Sequence, residues 1–131
     1  MASIFTRILN NDIPGHVVFE SEDFFALLDK FPARYGHTLV VPKQETDYIF
    51  DLDDETYHNL WSFASTVARA VEAETGAKKV GVKVEGLEIR HVHVHLIPLD
   101  TAADFTGSVS VSEEEQTRMR EALHARLSGD K

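Results

Sequence analysis

The hydrophobic pattern changes period several times along the chain, and each change marks an element. Ile4, Phe5, Ile8 and Leu9 recur at helical spacing behind Ser3, a good N-cap, and Asn10-Asn11-Asp12 with Pro14-Gly15 stops them. This predicts a short covering helix. Val17-Val18-Phe19 and Phe24 to Leu28 are β-prone runs either side of the polar Glu20-Ser21-Glu22-Asp23, the pattern of a hairpin. Gly36 introduces a third run, His37 to Val41, which reads as a central strand ended by Pro42-Lys43 because proline cannot donate to a ladder. From Asp53 or Asp54 to about Thr75 the period is helical again: Tyr57, Leu60, Trp61, Ala64, Val67, Ala68 and Val71 make one stripe, and Gly76 is placed as the C-terminal stop. That helix is expected across one sheet face, with Trp61 in the core. Ser112 and Glu115 form a capping box ahead of Met119, Leu123 and Leu127, predicting a C-terminal helix over 111–128, and Thr101 to Ser110 reads as loop.

Between these helices the period falls to two. Val80, Val82 and Val84 alternate with Gly81 and Lys83, and Glu85-Gly86 is read as the turn of a hairpin into Arg90-His91-Val92-His93-Val94-His95-Leu96-Ile97-Pro98. In a strand, successive side chains point to opposite faces, so His91, His93 and His95 share one face and Val92, Val94 and Leu96 the other. Side chains two apart lie roughly 6.5 to 7 Å from each other along a strand, so three rings span about 13 Å and cannot all reach one atom. Three imidazoles on one face are expensive to desolvate unless each has a partner. His16, His58 and His124, without companions, read as surface or packing residues.

Composition narrows the setting. A chain of 131 residues with 43% hydrophobic and 27% charged residues is sized for one domain over 1–131, core 4–99, and carries no apolar run of membrane-spanning length. The first fifteen residues show no export signal, which makes the cytoplasm the expected compartment. With no cysteine, thiolate metal and redox sites are excluded. A net charge of −9 argues against a nucleic-acid polymer or an anionic membrane as partner, while a small anionic ligand is compatible with a few converging cations.

The histidine run itself supports two chemistries. Imidazole is the commonest zinc ligand and His-x-His can give two nitrogens to one ion, but no carboxylate among Glu88, Asp100 and Asp104 is singled out as a further ligand. Alternatively one neutral imidazole attacks phosphorus while its neighbours fix its tautomer and serve the leaving group. The middle ring, His93, is the candidate nucleophile, and it then needs its far nitrogen protonated and hydrogen-bonded.

The run His91-Val92-His93-Val94-His95-Leu96-Ile97 resembles the signature of the histidine-triad nucleotide-binding proteins, His-φ-His-φ-His-φ-φ with φ apolar. Ile4-Phe5, Ile8, Ile13-Pro14, Val17 to Glu20, Asp29, Pro32 and Gly36-His37-x-Leu39-Val40-Val41-Pro42-Lys43 are similar to the family's amino-terminal half, so the likeness covers about residues 4 to 99. It implies an α+β fold with an antiparallel sheet of about five strands, a homodimer, and a purine nucleoside phosphate as ligand. On the matching positions it makes His93 the residue that forms a nucleotidyl-histidine, His95 the one near the leaving group, and His91 and His37 a supporting pair. Asp29 would hold the ribose hydroxyls and Phe5, Ile8 and Ile13 would surround the base; Lys30 and Glu88 complete the candidate nucleotide-binding residues. Such enzymes require no metal or other cofactor.

The resemblance favours the phosphoramidase branch, with dinucleoside polyphosphates as other candidate substrates. The chain departs from the family where a glutamine and serine commonly follow the glycine before the triad: Leu87 and Glu88 stand there, in a shorter loop. Glu88 is expected to turn outward; pairing with Arg90 or Lys83, or selection of an amine leaving group, are its other readings. Lys43 is expected to cap its strand at the surface. Two further classes stay open, a nucleotide-binding protein with little turnover and a metal protein ligated by His91, His93 and His95.

Overall fold

Two rows of alternating side chains divide the sheet between two apolar clusters. The computed structural model describes residues 2–129; Met1, Asp130 and Lys131, the ends of the expected domain, lie outside the described residues. Strands β1 (Val17–Glu20), β2 (Phe24–Leu28), β3 (Thr38–Pro42), β4 (Lys79–Lys83) and β5 (Val94–Leu99) form one antiparallel sheet in the order β1-β2-β3-β5-β4. β2 and β3 are buried along their whole length, which is what central strands covered on both faces require. One residue set (Phe24, Ala26, Leu28, Val40, Val92, Val94, Leu96) packs against Leu60, Ala64, Val67 and Val71 of α2 (Asp54–Thr75) and Met119 and Leu123 of α3 (Glu113–Leu127). The other set (Phe25, Leu27, Leu39, Val41) meets Phe5 and Ile8 of α1 (Ile4–Leu9). The fold is thus α+β, with the long helix on one face and the short one on the other.

The helix ends follow the cap signals. Ser3 Oγ accepts the Thr6 amide at the start of α1, and Asp53 accepts that of Thr56 (2.7 Å) at the start of α2. The αL glycine Gly76 closes α2. Ser112 and Glu115 exchange both capping-box bonds at the start of α3. Trp61 packs beside Tyr57 at the rim of the larger cluster. Lys43 pairs with Glu20 at the strand end (2.6 Å). Among the described residues, no helix is long and apolar enough to cross a membrane.

Three expectations need correction. The Glu85-Gly86 turn does not make a hairpin: β4 and β5 pair antiparallel, with Lys83 opposite His95, but residues 84–93 form a loop between them. A left-handed glycine (Gly86, φ 75°) was the turn signal, and here it bends a longer excursion that folds back to β3's end, where the Val92 amide bonds the Thr46 carbonyl (2.8 Å). Consequently only His95 of the triad lies on the strand. His91 and His93 precede it, and the alternation of faces persists without a ladder. The segment Thr101 to Ser110 is not all loop, since Ala102–Thr106 is a 3-10 helix capped by Thr101 and Asp104.

Candidate active site

Each of four imidazoles has its protons assigned by its neighbours. His93 is almost fully buried, and its Nδ1–H donates to the His91 carbonyl (2.7 Å), a bond available because the two residues lie in loop and not in a ladder. Neutral His93 therefore carries its lone pair on Nε2, which has no protein partner among the described residues. The Ala33 amide donates to His37 Nδ1 (2.9 Å), so neutral His37 holds its proton on Nε2, and this donates to His95 Nδ1 (2.9 Å). His95 is left with an Nε2–H donor. His91, fully buried, donates Nε2–H to the Pro42 carbonyl (2.7 Å), and its Nδ1 accepts the Ser3 hydroxyl (2.5 Å). A lone pair on one ring thus stands beside a donor on the next, with His93 and His95 centroids 5.1 Å apart. The two rings are tilted by 59° to one another.

Burial favours the neutral form of His37, His91 and His95. It is the main cause that lowers His37 to about 4, with the Lys83 charge adding to it. His95 is lowered to about 4 by burial first, then by His37 and His93, with Asp29 opposing and Lys83 contributing. Burial also lowers His91, against the Pro42 carbonyl.

Asp29 joins this pair. Its Oδ2 lies 3.3 Å from His37 Nε2 and 3.8 Å from His95 Nδ1, while Oδ1 accepts the Phe31 amide (2.9 Å). Gly36, at φ 97°, provides the left-handed turn that delivers His37 onto β3; a Cβ there would come 2.7 Å from the Thr75 methyl. Phe5 packs on His93 and His91 (centroids 4.9 and 5.8 Å). Ile8 belongs to the same cluster and touches Gly15. The remaining candidates stand apart: Ile13 borders an open cleft with His16 and Glu113, and exposed Lys30 stacks over Phe31 (5.9 Å). Glu88 is exposed and lines a shallow hollow with Ser3, Ile4, Glu45, Ile89 and Arg90, a wall that includes none of His37, His93 and His95.

Two residues of the arrangement carried no chemical signal in the sequence. Ser3 read only as a helix cap, yet it closes the His91 network from 88 residues away. It is held there by Glu45, whose carboxylate takes the Ser3 amide (3.1 Å) and the Thr6 hydroxyl (2.6 Å). Buried Gln116 of α3 donates its amide to the Asp29 carbonyl (3.1 Å). Its place one helical step before Met119 on an apolar stripe was the available clue.

The HIT domain family matches residues 10–102. The chain belongs to the HIT family. It is 38% identical to an uncharacterized HIT-like protein of Methanocaldococcus jannaschii over 72% of this chain and 77% of that one. An adenosine 5′-monophosphoramidase of Schizosaccharomyces pombe is 27% identical over 97% of this chain and 99% of its own. Among solved structures, a zinc-bound histidine triad family protein from Mycobacterium smegmatis aligns at TM-score 0.83 and 27% identity, covering 98% of this chain and 97% of that one.

That last relative makes a metal worth testing against this chain's donors. His91, His93 and His95 do not suit one ion, because both nitrogens of buried His91 are already used by Ser3 and Pro42. Asp29, His37 and His95 offer donor atoms within 4.8 Å of one another. His37 is the obstacle: the Ala33 amide occupies its Nδ1 lone pair, so Nε2 carries the proton and has no lone pair for a cation. Among the described residues neither set fits a metal, and the cluster is better described as a hydrogen-bonded relay.

Proposed function

We propose that the protein is a nucleotide hydrolase or transferase acting at the α-phosphorus of purine nucleoside 5′-phosphate derivatives through covalent catalysis on His93. The observation that carries this reading is the His93 tautomer: Nδ1–H is bound to the His91 carbonyl, which leaves an unpartnered Nε2 lone pair next to the His95 Nε2–H donor. On attack, Nε2 forms the bond to phosphorus while the bond from phosphorus to the leaving group breaks and that group departs with its electron pair; the ring becomes cationic, and the His91 carbonyl already bonded to Nδ1–H stabilises that charge as it develops. Water then displaces the imidazole and releases the nucleoside monophosphate.

Asp29 is assigned to the ribose hydroxyls and Phe5, Ile8 and Ile13 to the base; Lys30, exposed next to Asp29 in the chain, is assigned to the rim. The adenosine 5′-monophosphoramidase named among the relatives supports the reaction class. Glu88 is taken as a surface residue. A homodimer is the proposed assembly, with β4, one of the two strands that end the sheet order, as the proposed pairing edge.

The test is release of AMP from adenosine 5′-phosphoramidate by the wild type in the presence of a chelator, with His93→Ala alongside. Release that survives chelation and disappears in the variant, together with an acid-labile nucleotide adduct on the intact protein, is expected. Release by His93→Ala at an undiminished rate would refute the assignment.

A further inference from the structure

The side of the site beyond His95 is built from the edge strand β4 and the 3-10 helix Ala102–Thr106. Lys83 lies directly opposite His95 in the antiparallel pair, and opposed residues put their side chains on the same face, with Cβ atoms about 5 Å apart. The ammonium sits over the ring of Phe105, 5.6 Å from its centroid. Phe105 can approach the strand because residue 81 is glycine: a Cβ on Gly81 would come 2.9 Å from the Phe105 ring and 2.6 Å from Leu99 Cδ1. The 3-10 helix that carries Phe105 is pinned by Asp104, which accepts the amides of Asp100 and Thr101 (both 2.9 Å). The nearby Arg34 is tied up by Asp100 and Asp104. Lys83, by contrast, has no carboxylate within ion-pair distance among the described residues. In a chain of net charge −9, an unpaired cation held beside the ring with the free donor is a site for an anion.

We propose that Lys83, backed by Phe105, binds the phosphate-bearing part of the leaving group, so that nucleoside 5′-phosphoanhydrides are preferred substrates over phosphoramidates of uncharged amines. The proposal rests on the reading of His93 given above. In the step it serves, the His93 Nε2 lone pair bonds to the α-phosphorus while the bond from that phosphorus to the bridging oxygen breaks. The electron pair stays on this oxygen, which departs as part of a terminal phosphate. Such a group is stable as an anion and requires a neighbouring cation and a hydrogen bond, which Lys83 and His95 Nε2–H supply. An amine must take up a proton to leave, and His95, lowered to about 4, is neutral at pH 7. In the second step water's oxygen bonds to phosphorus, the P–N pair returns to Nε2, and one proton goes to solvent.

The experiment compares kcat/KM for diadenosine tetraphosphate and for adenosine 5′-phosphoramidate in wild type, Lys83→Gln, Lys83→Arg and Lys79→Gln. Lys79 lies on the same strand opposite Leu99 and controls for loss of charge alone. The anhydride-to-phosphoramidate ratio is expected to fall about tenfold in Lys83→Gln, the scale of one solvent-screened charge contact. It should recover in Lys83→Arg and stay within about twofold of wild type in Lys79→Gln; the Lys83 effect should shrink as salt is raised. An unchanged ratio in Lys83→Gln overturns the proposal and leaves the His93 reading intact. Failure of the wild type to release AMP from either substrate overturns both.

Discussion

Acidification is the perturbation that bears most directly on the relay. His37 and His95 are both lowered from 6.5 to about 4 in the fold, chiefly by burial. Well above pH 6.5 each ring is neutral folded and unfolded, and neither contributes to pH dependence. Between 6.5 and 4 the unfolded chain takes up protons that the folded protein refuses, so stability falls as pH falls through this window. For a ring with these two values the loss between pH 8 and pH 5 is about 2 kcal/mol, since the unfolded state is over nine-tenths protonated at pH 5 and the folded state about one-tenth. With a urea dependence of about 2 kcal/mol per molar, each ring moves the midpoint by about 1 M.

His95→Asn isolates the effect, because its Oδ1 can still accept the His37 Nε2–H while nothing at position 95 titrates. Urea midpoints at pH 8 and pH 5 should therefore draw together in the variant by about 1 M relative to wild type, with the surface carboxylates cancelling in the difference. Nitrogen chemical shifts of the imidazoles supply a second readout, with Nε2–H expected on His37 and His95 down to about pH 5. Parallel stability curves in the two proteins, or a His95 titration near 6.5, would refute the burial argument and the proton assignments that depend on it.

Two other expectations follow from single hydrogen bonds. Ser3→Ala removes the α1 cap and strands the buried His91 Nδ1 without a donor, so it should cost about 2–4 kcal/mol in urea unfolding, most of it restored in Ser3→Thr. Gln116→Leu leaves the Asp29 carbonyl unpaired and loosens the carboxylate assigned to the ribose; KM for the nucleotide should rise about tenfold with kcat changed much less. A loss of active-site concentration with KM unchanged would sink the second.

What was legible in the sequence and what was not divide along a physical line. The α2 stripe, the caps at Ser3, Asp53 and Ser112 and the two-faced alternation around His93 are statements about residue types at fixed local spacings, and local spacing is what periodicity reports. The connection from β4 to β5 departs from the expected hairpin because a left-handed glycine at Gly86 marks a bend without saying what lies beyond it. Ser3 with His91, and Gln116 with Asp29, are 88 and 87 residues apart, and no local pattern joins them. The tutoring of the rings themselves was hidden more deeply. His37 takes its tautomer from the Ala33 amide, His91 from the Pro42 carbonyl and His93 from the His91 carbonyl. All three partners are main-chain groups, which every residue type but proline supplies alike on the donor side and all supply on the acceptor side. A histidine motif can therefore name the rings that do chemistry while saying nothing about which nitrogen is free. That choice belongs to where the backbone runs, at the start of β3, at its end and in the loop before β5. Substitutions that shift those main-chain groups should disable the site as surely as loss of an imidazole, with every histidine still in place.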